Sequence, residues 1–529
     1  MKNSKIYYPL FLALAVALGI FIGSMLNFPQ NNSGFLFNSS SQEAKIKRLI
    51  NYIQYDYVDK VDTDSLLDGT IRNILDKLDP HSVYIPASEH DAIAETMNGE
   101  FVGVGIRFFM NGDSLTVSNV VKDGPSDRAG IEAGDRILIA DNDTLYGKQL
   151  ENDYIIKTLK GEENTKVKVK VYRKYKDTLL NFTLKRATIP LESVPSYYML
   201  TDTLGYIKID KFANTTYDEF KTALNALQKK NMKRLVLDLR GNPGGYLGIA
   251  NQIIDEFLEK DKLIVFTKNK GGKIDKSFAT AKGDFEKGQV YVLIDESSAS
   301  ASEIVAGALQ DNDKGVIVGR RSFGKGLVQQ EMELGDGSAV RLTVSRYYTP
   351  TGRSIQKPYN SESGASYYND RLERYNNGEL TNGDSIKVID SLKFVTPKGK
   401  SVYGGGGIVP DVFVSIDTTA YFGRFHFRAI QDFVFEYVDN HREVTKNWQV
   451  NDFRQNFDND GEILREYLSL FDDQSKLAAE SIPYIKLYLK ALFARNLYDE
   501  NVFYQVMNEN DEMLKKVKEL EMKIDYIKP

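Results

Sequence analysis

The chain has 529 residues, 42% of them hydrophobic and 27% charged, so it can build several domains and lacks the composition of a disordered protein. Its 68 lysine and arginine residues against 73 aspartate and glutamate residues give a net charge of -5, and without a long basic stretch this argues against nucleic acid as a partner. The absence of cysteine excludes disulfides, thiolate metal sites and a cysteine nucleophile.

The N-terminus combines a short basic start with a long apolar run. Lys2 and Lys5 precede residues 6–26, which contain no charged residue. The run is as long as the ~20 residues that cross a bilayer as a helix, and the lysines favour a cytoplasmic N-terminus. We predict a single-pass anchor over residues 1–26 in the cell inner membrane, a flexible tether over residues 27–42, and a folded part on the periplasmic or extracytoplasmic side. The alternative is a cleaved signal peptide, whose apolar region is usually shorter.

Periodicity divides the rest of the chain into four parts. Apolar residues recur at three- and four-residue intervals over residues 43–97, which predicts helices. Short alternating strands over residues 98–187 predict a small, mainly β module. Strand and helix patterns alternate over residues 188–414 and predict an α/β layer around a central sheet, with residues 356–385 as a polar surface excursion. Residues 415–529 return to amphipathic helices, an extension suited to docking or to forming a homo-oligomer.

A serine-rich loop after a buried strand is the first candidate for chemistry. The apolar strand 290–294 is followed by a polar loop containing Ser300, and then by an apolar helix. A serine at the start of a helix lies beside free backbone N–H groups and the positive end of the helix dipole, which can stabilise an oxyanion. The alternative is structural, because Ser300 and Glu303 also match the Ser-x-x-Glu capping box that starts a helix.

A lysine between two glycines is the second candidate. Gly324 and Gly326 flank Lys325 and allow close backbone approach around a side chain that has to be buried. A free lysine has a pKa of about 10.4, but burial without an anionic partner can lower it towards ~7–8, where it can act as a base. Gln329, four positions on, would share a face with Lys325 and could hold the neutral amine by a hydrogen bond. A surface lysine in a glycine turn and an exposed glutamine are the alternatives.

The third candidate is a glycine-rich turn after another buried strand. The strand 235–239 runs into residues 240–245, a generic cradle for a phosphate or an oxyanion. Neither a Gly-x-Gly-x-x-Gly nor a Walker pattern occurs there, which argues against nucleotides. The four histidines form no His-Glu-x-x-His set and match no triad motif. A serine–histidine arrangement stays open, since triad partners can be distant in sequence.

Residues 237–245, 298–310 and 322–329 together resemble the motifs of the C-terminal processing peptidases, also called tail-specific proteases. The three motifs occur in the family's order, and the serine and lysine have the family's spacing. Further similar segments extend the resemblance over roughly residues 43–414.

The resemblance implies a crotonase/Clp-like α/β protease core and assigns roles to residues of this chain. Ser300 would be the nucleophile, Lys325 the general base and Gln329 the partner that orients the lysine. The backbone N–H groups of Gly245 and Ala301 would form the oxyanion hole. No metal or organic cofactor is implied.

The β module resembles a PDZ domain. Its carboxylate-binding loop would be Gly103, Val104, Gly105 and Ile106, and residues 124–138 are similar to the central turn and strand. Successive N–H groups in such a loop can capture a terminal carboxylate while the bound chain adds as a strand to the sheet edge.

The sequence therefore predicts a serine endopeptidase that recognises and cleaves the C-terminal region of protein substrates. In the family pattern His81 is structural, which agrees with the weak case for a catalytic histidine. Two alternatives stay open: a PDZ-based scaffold or inactive homologue that binds protein C-termini, and another hydrolase on the same fold, such as an esterase.

Overall fold

The computed structural model describes most of the chain. The described residues are 13, 16, 18, 41–147, 150–359, 367–417, 424–445, 447–458, 461–471 and 479–527. The predicted membrane anchor and tether lie outside them, except for positions 13, 16, 18, 41 and 42. Within the described ranges, no helix has the length and apolar character needed to cross a membrane. The chain divides into two compact units, Met1–Thr70 and Ile71–Pro529.

Helices form the N-terminal part, as predicted. Helix α1 covers Ser41–Asp56, and α2 covers Thr63–Leu75. The Asp62 carboxylate accepts hydrogen bonds from two backbone N–H groups at the start of α2, which caps the helix. In the second unit, strand β1 (Val83–Ile85) precedes helix α3 (Ala87–Asn98).

A small β module follows α3. Its elements are β2 (Glu100–Gly103), β3 (Ile106–Asn111), β4 (Ser114–Val120), α4 (Pro125–Ala129), β5 (Asp135–Ala140), β6 (Asp143–Thr144), α5 (Asn152–Leu159), β7 (Lys166–Arg173), β8 (Thr178–Lys185) and β9 (Ala187–Pro190). Strands β2 and β9 pair antiparallel where the chain enters and leaves the module. The other strands form one sheet in the order β3-β4-β5-β7-β8, with β6 beside β5. Val167, Val169 and Val171 of β7 are buried in the module core, as their alternation with lysines predicts.

The α/β layer surrounds a six-stranded sheet. Its elements are β10 (Ser196–Met199), β11 (Leu204–Lys208), α6 (Thr216–Gln228), β12 (Arg234–Asp238), α7 (Leu247–Asp255), β13 (Leu263–Asn269), β14 (Ile274–Phe278), β15 (Gln289–Ile294), α8 (Ala301–Asp311), β16 (Gly315–Gly319), β17 (Leu327–Glu333), β18 (Ala339–Tyr348), α9 (Asp370–Asn376), β19 (Lys393–Val395), β20 (Ser401–Tyr403) and β21 (Val412–Phe413). The sheet order is β10-β11-β12-β15-β16-β21, parallel except for β10. A second sheet has the order β1-β18-β13-β14, with β17 paired to β18.

Helices complete the chain, as predicted for the C-terminal extension. They are α10 (Arg424–Asn440), α11 (Arg442–Thr445), α12 (Val450–Asn456), α13 (Glu462–Ser469), α14 (Ile482–Leu497), α15 (Glu500–Met507) and α16 (Glu512–Ile527). Helices α10 and α12 to α15 share a core of their own. The last helix does not join that core: Met513, Leu514 and Val517 of α16 pack on the six-stranded sheet. The opposite face of that sheet is covered by α6, α7 and α8, so its strands are apolar on both faces.

Candidate active site

Ser300 lies between β15 and α8 in a strained backbone conformation. Its φ of 54° is in the left-handed region that non-glycine residues rarely adopt. Hydrogen bonds fix the surrounding loop: the Ser298 hydroxyl donates to the Leu239 carbonyl at 2.9 Å, and the Ala299 N–H donates to the Asn242 carbonyl at 3.0 Å. Strain of this kind persists only when the surroundings hold it, and it occurs preferentially at functional sites.

The glycine-rich turn after β12 lies directly against the serine. A Cβ atom on Gly244 would come within 2.7 Å of the Ser300 Cβ atom, so only glycine fits there. Buried Asn242 holds the turn: its side-chain nitrogen donates to the Ile209 carbonyl at 2.9 Å, and its side-chain oxygen accepts the Gly244 N–H at 2.8 Å. The Asn242 carbonyl also accepts the Ser302 hydroxyl at 3.0 Å. Asn242 therefore ties the turn to the serine loop, a role that the sequence analysis missed.

The two backbone donors predicted for an oxyanion flank this contact. Gly245 has a φ of 149° and lines the same cavity as Ser300. Ala301 is the first residue of α8, so its N–H has no partner within the helix. Among the residues that the structure describes, neither N–H donates a hydrogen bond. Both are therefore available to a substrate oxygen.

A buried carboxylate, Glu303, joins the serine loop to the lysine loop. Its Oε2 atom accepts the N–H groups of Ser300 at 2.9 Å and of Lys325 at 2.8 Å. Its Oε1 atom accepts the Ser322 hydroxyl at 2.5 Å and the Gly324 N–H at 2.7 Å. Burial raises the pKa of Glu303, and these donors oppose the rise. Glu303, which the capping-box pattern assigns to a helix start, thus also fixes the serine loop relative to the lysine loop.

The Lys325 side chain lines the same cavity as Ser300. Its amine forms no hydrogen bond or ion pair with any described residue, Ser300 included. Burial lowers the pKa of Lys325, and the positive charge of Arg341 lowers it further, whereas the carboxylates of Glu303 and Asp79 raise it. A buried amine without an anionic partner is the environment that favours the neutral form. Contacts between catalytic groups often tighten only when substrate is bound.

Gln329 lines the cavity but forms its hydrogen bond elsewhere. Strand β17 begins only at Leu327, and its register shifts just before Gln329, so the even spacing from Lys325 does not correspond to one regular strand. The Gln329 amide donates to the Thr343 hydroxyl at 3.3 Å, and that hydroxyl donates to the Asp79 carboxylate at 3.1 Å. No hydrogen bond between Gln329 and Lys325 occurs in the described part of the chain.

His81 belongs to an aromatic cluster beside the lysine loop. Its Nε2 atom lies 2.9 Å from the Tyr367 hydroxyl, and its ring packs edge-on against Tyr367 and Phe323 with centroids 5.2 and 6.4 Å away. Burial lowers the pKa of His81 to about 4, and the positive charge of Lys325 acts in the same direction. The ring is therefore neutral near pH 7. It has a packing role, and the structure shows no hydrogen bond from it to Ser300.

Part of the segment predicted as a surface excursion is buried behind the lysine loop. The Arg374 side chain is only 2% exposed and donates to the carbonyls of Ser322 and Arg321 at 2.9 and 3.0 Å. It also pairs with Asp370 at 2.7 Å. The surface prediction was wrong here because a charged side chain can be buried when it is paired and hydrogen-bonded, and polar composition does not reveal its partners.

One cavity of 470 Å³, here called the Ser300 cavity, brings the predicted groups together. It is lined by Gly245, Ser300, Lys325 and Gln329, among others. Helix α3 forms part of its wall through Ile93 and Met97. On the same helix, Glu95 pairs with Lys160, which directly follows α5 of the β module. A single helix therefore contacts both the Ser300 cavity and the module.

The loop 103–106, predicted to bind a carboxylate, joins β2 to β3 of the module. Gly105 has a φ of 75°, which favours glycine. The Val104 carbonyl accepts the Ser126 N–H at 3.1 Å and the Ser126 hydroxyl at 2.7 Å, and the Gly105 carbonyl accepts a further backbone N–H. These bonds commit both carbonyls to the module and fix the loop.

Comparisons with known families agree with this architecture. The model of peptidase family S41 matches residues 203–361, and that of the PDZ domain matches residues 102–184. The activating protease CtpB N-terminal domain matches residues 27–88, and a family of unknown function matches residues 426–499.

Among curated proteins, the carboxy-terminal-processing protease of Bartonella bacilliformis is 35% identical over 60% of this chain and 74% of its own length. The chain belongs to the carboxy-terminal processing proteases of peptidase family S41. The carboxy-terminal processing protease CtpB of Bacillus subtilis is 36% identical over 59% of the chain, which spans 65% of that relative. A solved photosystem II D1 C-terminal processing protease is 24% identical and covers 72% of this chain and 88% of its own, with a TM-score of 0.37.

Membership of the S41 family confirms the resemblance drawn from the three motifs, and the PDZ match confirms the predicted β module. The helices α10 to α14 of this S41 protein coincide with the match to the family of unknown function.

Proposed function

We propose that this protein is a serine endopeptidase that recognises the C-terminal region of protein substrates and cleaves them with a Ser300/Lys325 dyad. The observation that carries the proposal is the Glu303 carboxylate, which accepts the N–H groups of both residues and so fixes the two loops at one cavity. The amine of Lys325, buried and without an anionic partner, is suited to act as a base.

The reaction is an acyl transfer. Neutral Lys325 takes the hydroxyl proton of Ser300 as the serine oxygen attacks a peptide carbonyl. The N–H groups of Gly245 and Ala301 stabilise the resulting oxyanion. The C–N bond then breaks, the leaving amine takes the proton from Lys325, and an acyl-enzyme remains. Water, deprotonated by Lys325, then attacks the ester; the bond from the carbonyl carbon to the serine oxygen breaks, and Ser300 takes the proton back from Lys325.

Gln329 acts as the residue that orients Lys325 when substrate is bound. Its side chain lines the Ser300 cavity and hydrogen-bonds to Thr343, so its position is restricted. Both side chains line the same cavity, and we expect the Gln329 side-chain oxygen to accept a hydrogen bond from the lysine amine when substrate binds.

The PDZ module binds the substrate's C-terminus and controls access to the dyad. The loop 103–106 precedes the edge strand β3, the arrangement in which N–H groups take a terminal carboxylate and the bound chain adds as a strand. Helix α3 carries the connection to the Ser300 cavity, through the pair of Glu95 with Lys160 at the module.

Membrane attachment and self-association belong to the same proposal. Residues 6–26 would anchor the chain in the cell inner membrane, with the catalytic part on the periplasmic or extracytoplasmic side. The helical extension would support a homo-oligomer. Fractionation of cells with full-length and anchor-deleted protein tests the first, and a size measurement with and without residues 415–529 tests the second.

The decisive experiment compares wild type with Ser300→Ala and Lys325→Ala on an unstructured protein that ends in apolar residues, in the presence of a chelator. We expect kcat to fall by about 10⁴-fold or more in both variants, as when one member of a catalytic unit is removed. Amidation of the substrate's terminal carboxylate should slow cleavage by the wild type. Binding without turnover by all three proteins would favour a scaffold, and turnover of esters but not peptides would favour an esterase.

A further inference from the structure

The helical extension packs against the outward face of the PDZ edge strand β3. Phe109 of β3 meets Phe435 of α10 edge to face, with ring centroids 4.7 Å apart. Arg107 of the same strand pairs with Glu500 at 2.6 Å. The register of β3 against β4 shifts between Arg107 and Phe108, and residues on both sides of this shift contact the extension.

A second set of contacts holds the extension to the module away from β3. Arg136 of β5 pairs with Asp439 of α10 at 2.9 Å, and the Asp439 side chain is only 3% exposed. Lys174 donates to the side-chain oxygen of Asn440 at 2.9 Å. Arg442 donates to the Ala133 carbonyl. With contacts on two sides of the module, the helices take a defined position relative to it.

A cavity of 1070 Å³, here called the β3 cavity, lies between the module and the extension. Asn152 and Ile156 of α5 line one side of it, and Phe427 and Gln431 of α10 line the other. Both pairs are four residues apart, so each lies on a single helix face. The extension therefore leaves an open space beside β3 that has two different walls.

The edge of β3 specifies an extended peptide as the occupant. Among the described strands β3 pairs only with β4, so one row of its backbone N–H and C=O groups is open to a further strand. Successive side chains of an added strand point to opposite faces. Those on one face would meet α5, and those on the other would meet α10. The three arginines that line the cavity are already paired, Arg107 and Arg495 with Glu500 and Arg428 with Asp432, so the terminal carboxylate is left to the loop 103–106.

We propose that α10 and α14, which lines the β3 cavity through Leu492 and Asn496, form the outer wall of the peptide site on the PDZ domain and help to select which C-termini bind. This inference rests on the proposed function, in which the module binds substrate C-termini. Phe427 and Gln431 contact alternate side chains of the bound segment, and Ile156 of α5 contacts the others. The helical extension is then a specificity-determining part of the protease as well as a docking region.

The test measures binding of fluorescent peptides to the full chain carrying Ser300→Ala, which prevents turnover. Each peptide has a free C-terminus and alanine at its last positions, with one leucine moved stepwise along them. Phe427→Ala should weaken the peptides with leucine at every second position by about tenfold, the loss of a typical hot-spot contact. Ile156→Ala should weaken the complementary set. Gln431→Leu is a second variant of the outer wall and should strengthen the Phe427-dependent set.

Glu436→Ala, an exposed position on α10 that does not line the β3 cavity, is the matched control and should change no affinity. Binding that depends on the free carboxylate but is equally strong in the Phe427, Gln431 and Glu436 variants would overturn the proposal that the helices form an outer wall. The proposed function would remain intact. A uniform gain for every peptide in Phe435→Ala would also overturn it, because the helices would then be a plug. If no peptide binds, or amidation has no effect, the proposed role of the module fails as well.

Discussion

The Ser300 cavity is lined by loops that are joined by hydrogen bonds between backbone groups and the buried Glu303 carboxylate. The β3 cavity instead lies between the PDZ module and the helical extension, which contact each other mainly through side chains. The first holds 470 Å³ and the second 1070 Å³. Backbone hydrogen bonds to a buried carboxylate leave the loops little conformational freedom. Side-chain contacts, in contrast, can be changed one at a time by substitution. The chemistry is thus fixed by the fold, and recognition is open to change by substitution.

Gly244 tests the rigidity of the Ser300 cavity most severely. Gly244→Ala would place a Cβ atom 2.7 Å from the Ser300 Cβ atom at a φ of 105°, so either the turn or Ser300 has to move. We expect kcat/KM to fall by about 10³-fold, the order found when an oxyanion donor or a reacting group is displaced. The control is Gly241→Ala, also at positive φ but with nothing within 4 Å, which should lose about 1 kcal/mol of stability and keep its activity. Equal activity in both variants would mean that the loops can shift to accommodate the added methyl group.

Glu303 tests whether one carboxylate holds the two loops together. Glu303→Gln turns an acceptor into a donor facing backbone N–H groups, so we expect about 2–4 kcal/mol lower stability and a drop in kcat of about a hundredfold. Thermal unfolding and steady-state kinetics measure the two effects. A variant with lower stability but unchanged kcat would show that Glu303 only caps α8.

Arg341 tests the electrostatics of the lysine. In the proposed mechanism Lys325 acts in its neutral form, so kcat/KM should rise with pH through the pKa of that group, which is lowered from its ordinary value. Arg341→Gln removes a charge that lowers this pKa, so the rising limb should move to higher pH and activity near pH 7 should fall several-fold. Arg341→Lys keeps the charge and should keep the limb in place. If the rising part of the pH profile stays at the same pH in Arg341→Gln, a group other than Lys325 produces it.

Breaking the connection that helix α3 makes between the Ser300 cavity and the PDZ module should have the smallest effect. Lys160→Gln removes the partly exposed pair with Glu95, worth less than about 1 kcal/mol of stability. Peptide affinity should be unchanged, while the advantage of a free substrate carboxylate in kcat/KM should fall about two- to threefold. Lys166→Gln, an exposed lysine of β7, is the control. An unchanged carboxylate effect would mean that coupling does not pass through α3.

Sequence patterns predicted the parts of the site that lie within one segment. Ser300, Lys325 and the glycine turn each follow a strand, and parallel strands bring their ends to the same edge of a sheet. Glu303 was recognised only as a helix start, because its contacts with Ser322 and Gly324 join segments that are distant in sequence. For the same reason, the sequence did not reveal the contacts of Arg374 and Asn242.

The spacing argument for Gln329 shows where local patterns stop being sufficient. It assumed a regular element from Lys325 onwards, but the lysine precedes β17 and the register shifts before the glutamine. A bulge depends on the neighbouring strand, which the pattern of one segment does not contain. The PDZ module was predictable because its turns and alternation are local, and its contact with α10 was not.

Helix α16 makes the main sheet dependent on a distant part of the chain. Strands β11, β12 and β15 present Tyr206, Val236 and Leu293 to that helix, which is translated long after them. Until it arrives, one apolar face of the sheet is open to water, and contacts between distant segments form slowly. Both faces of the sheet are therefore covered only after the last helix of the chain has been synthesised.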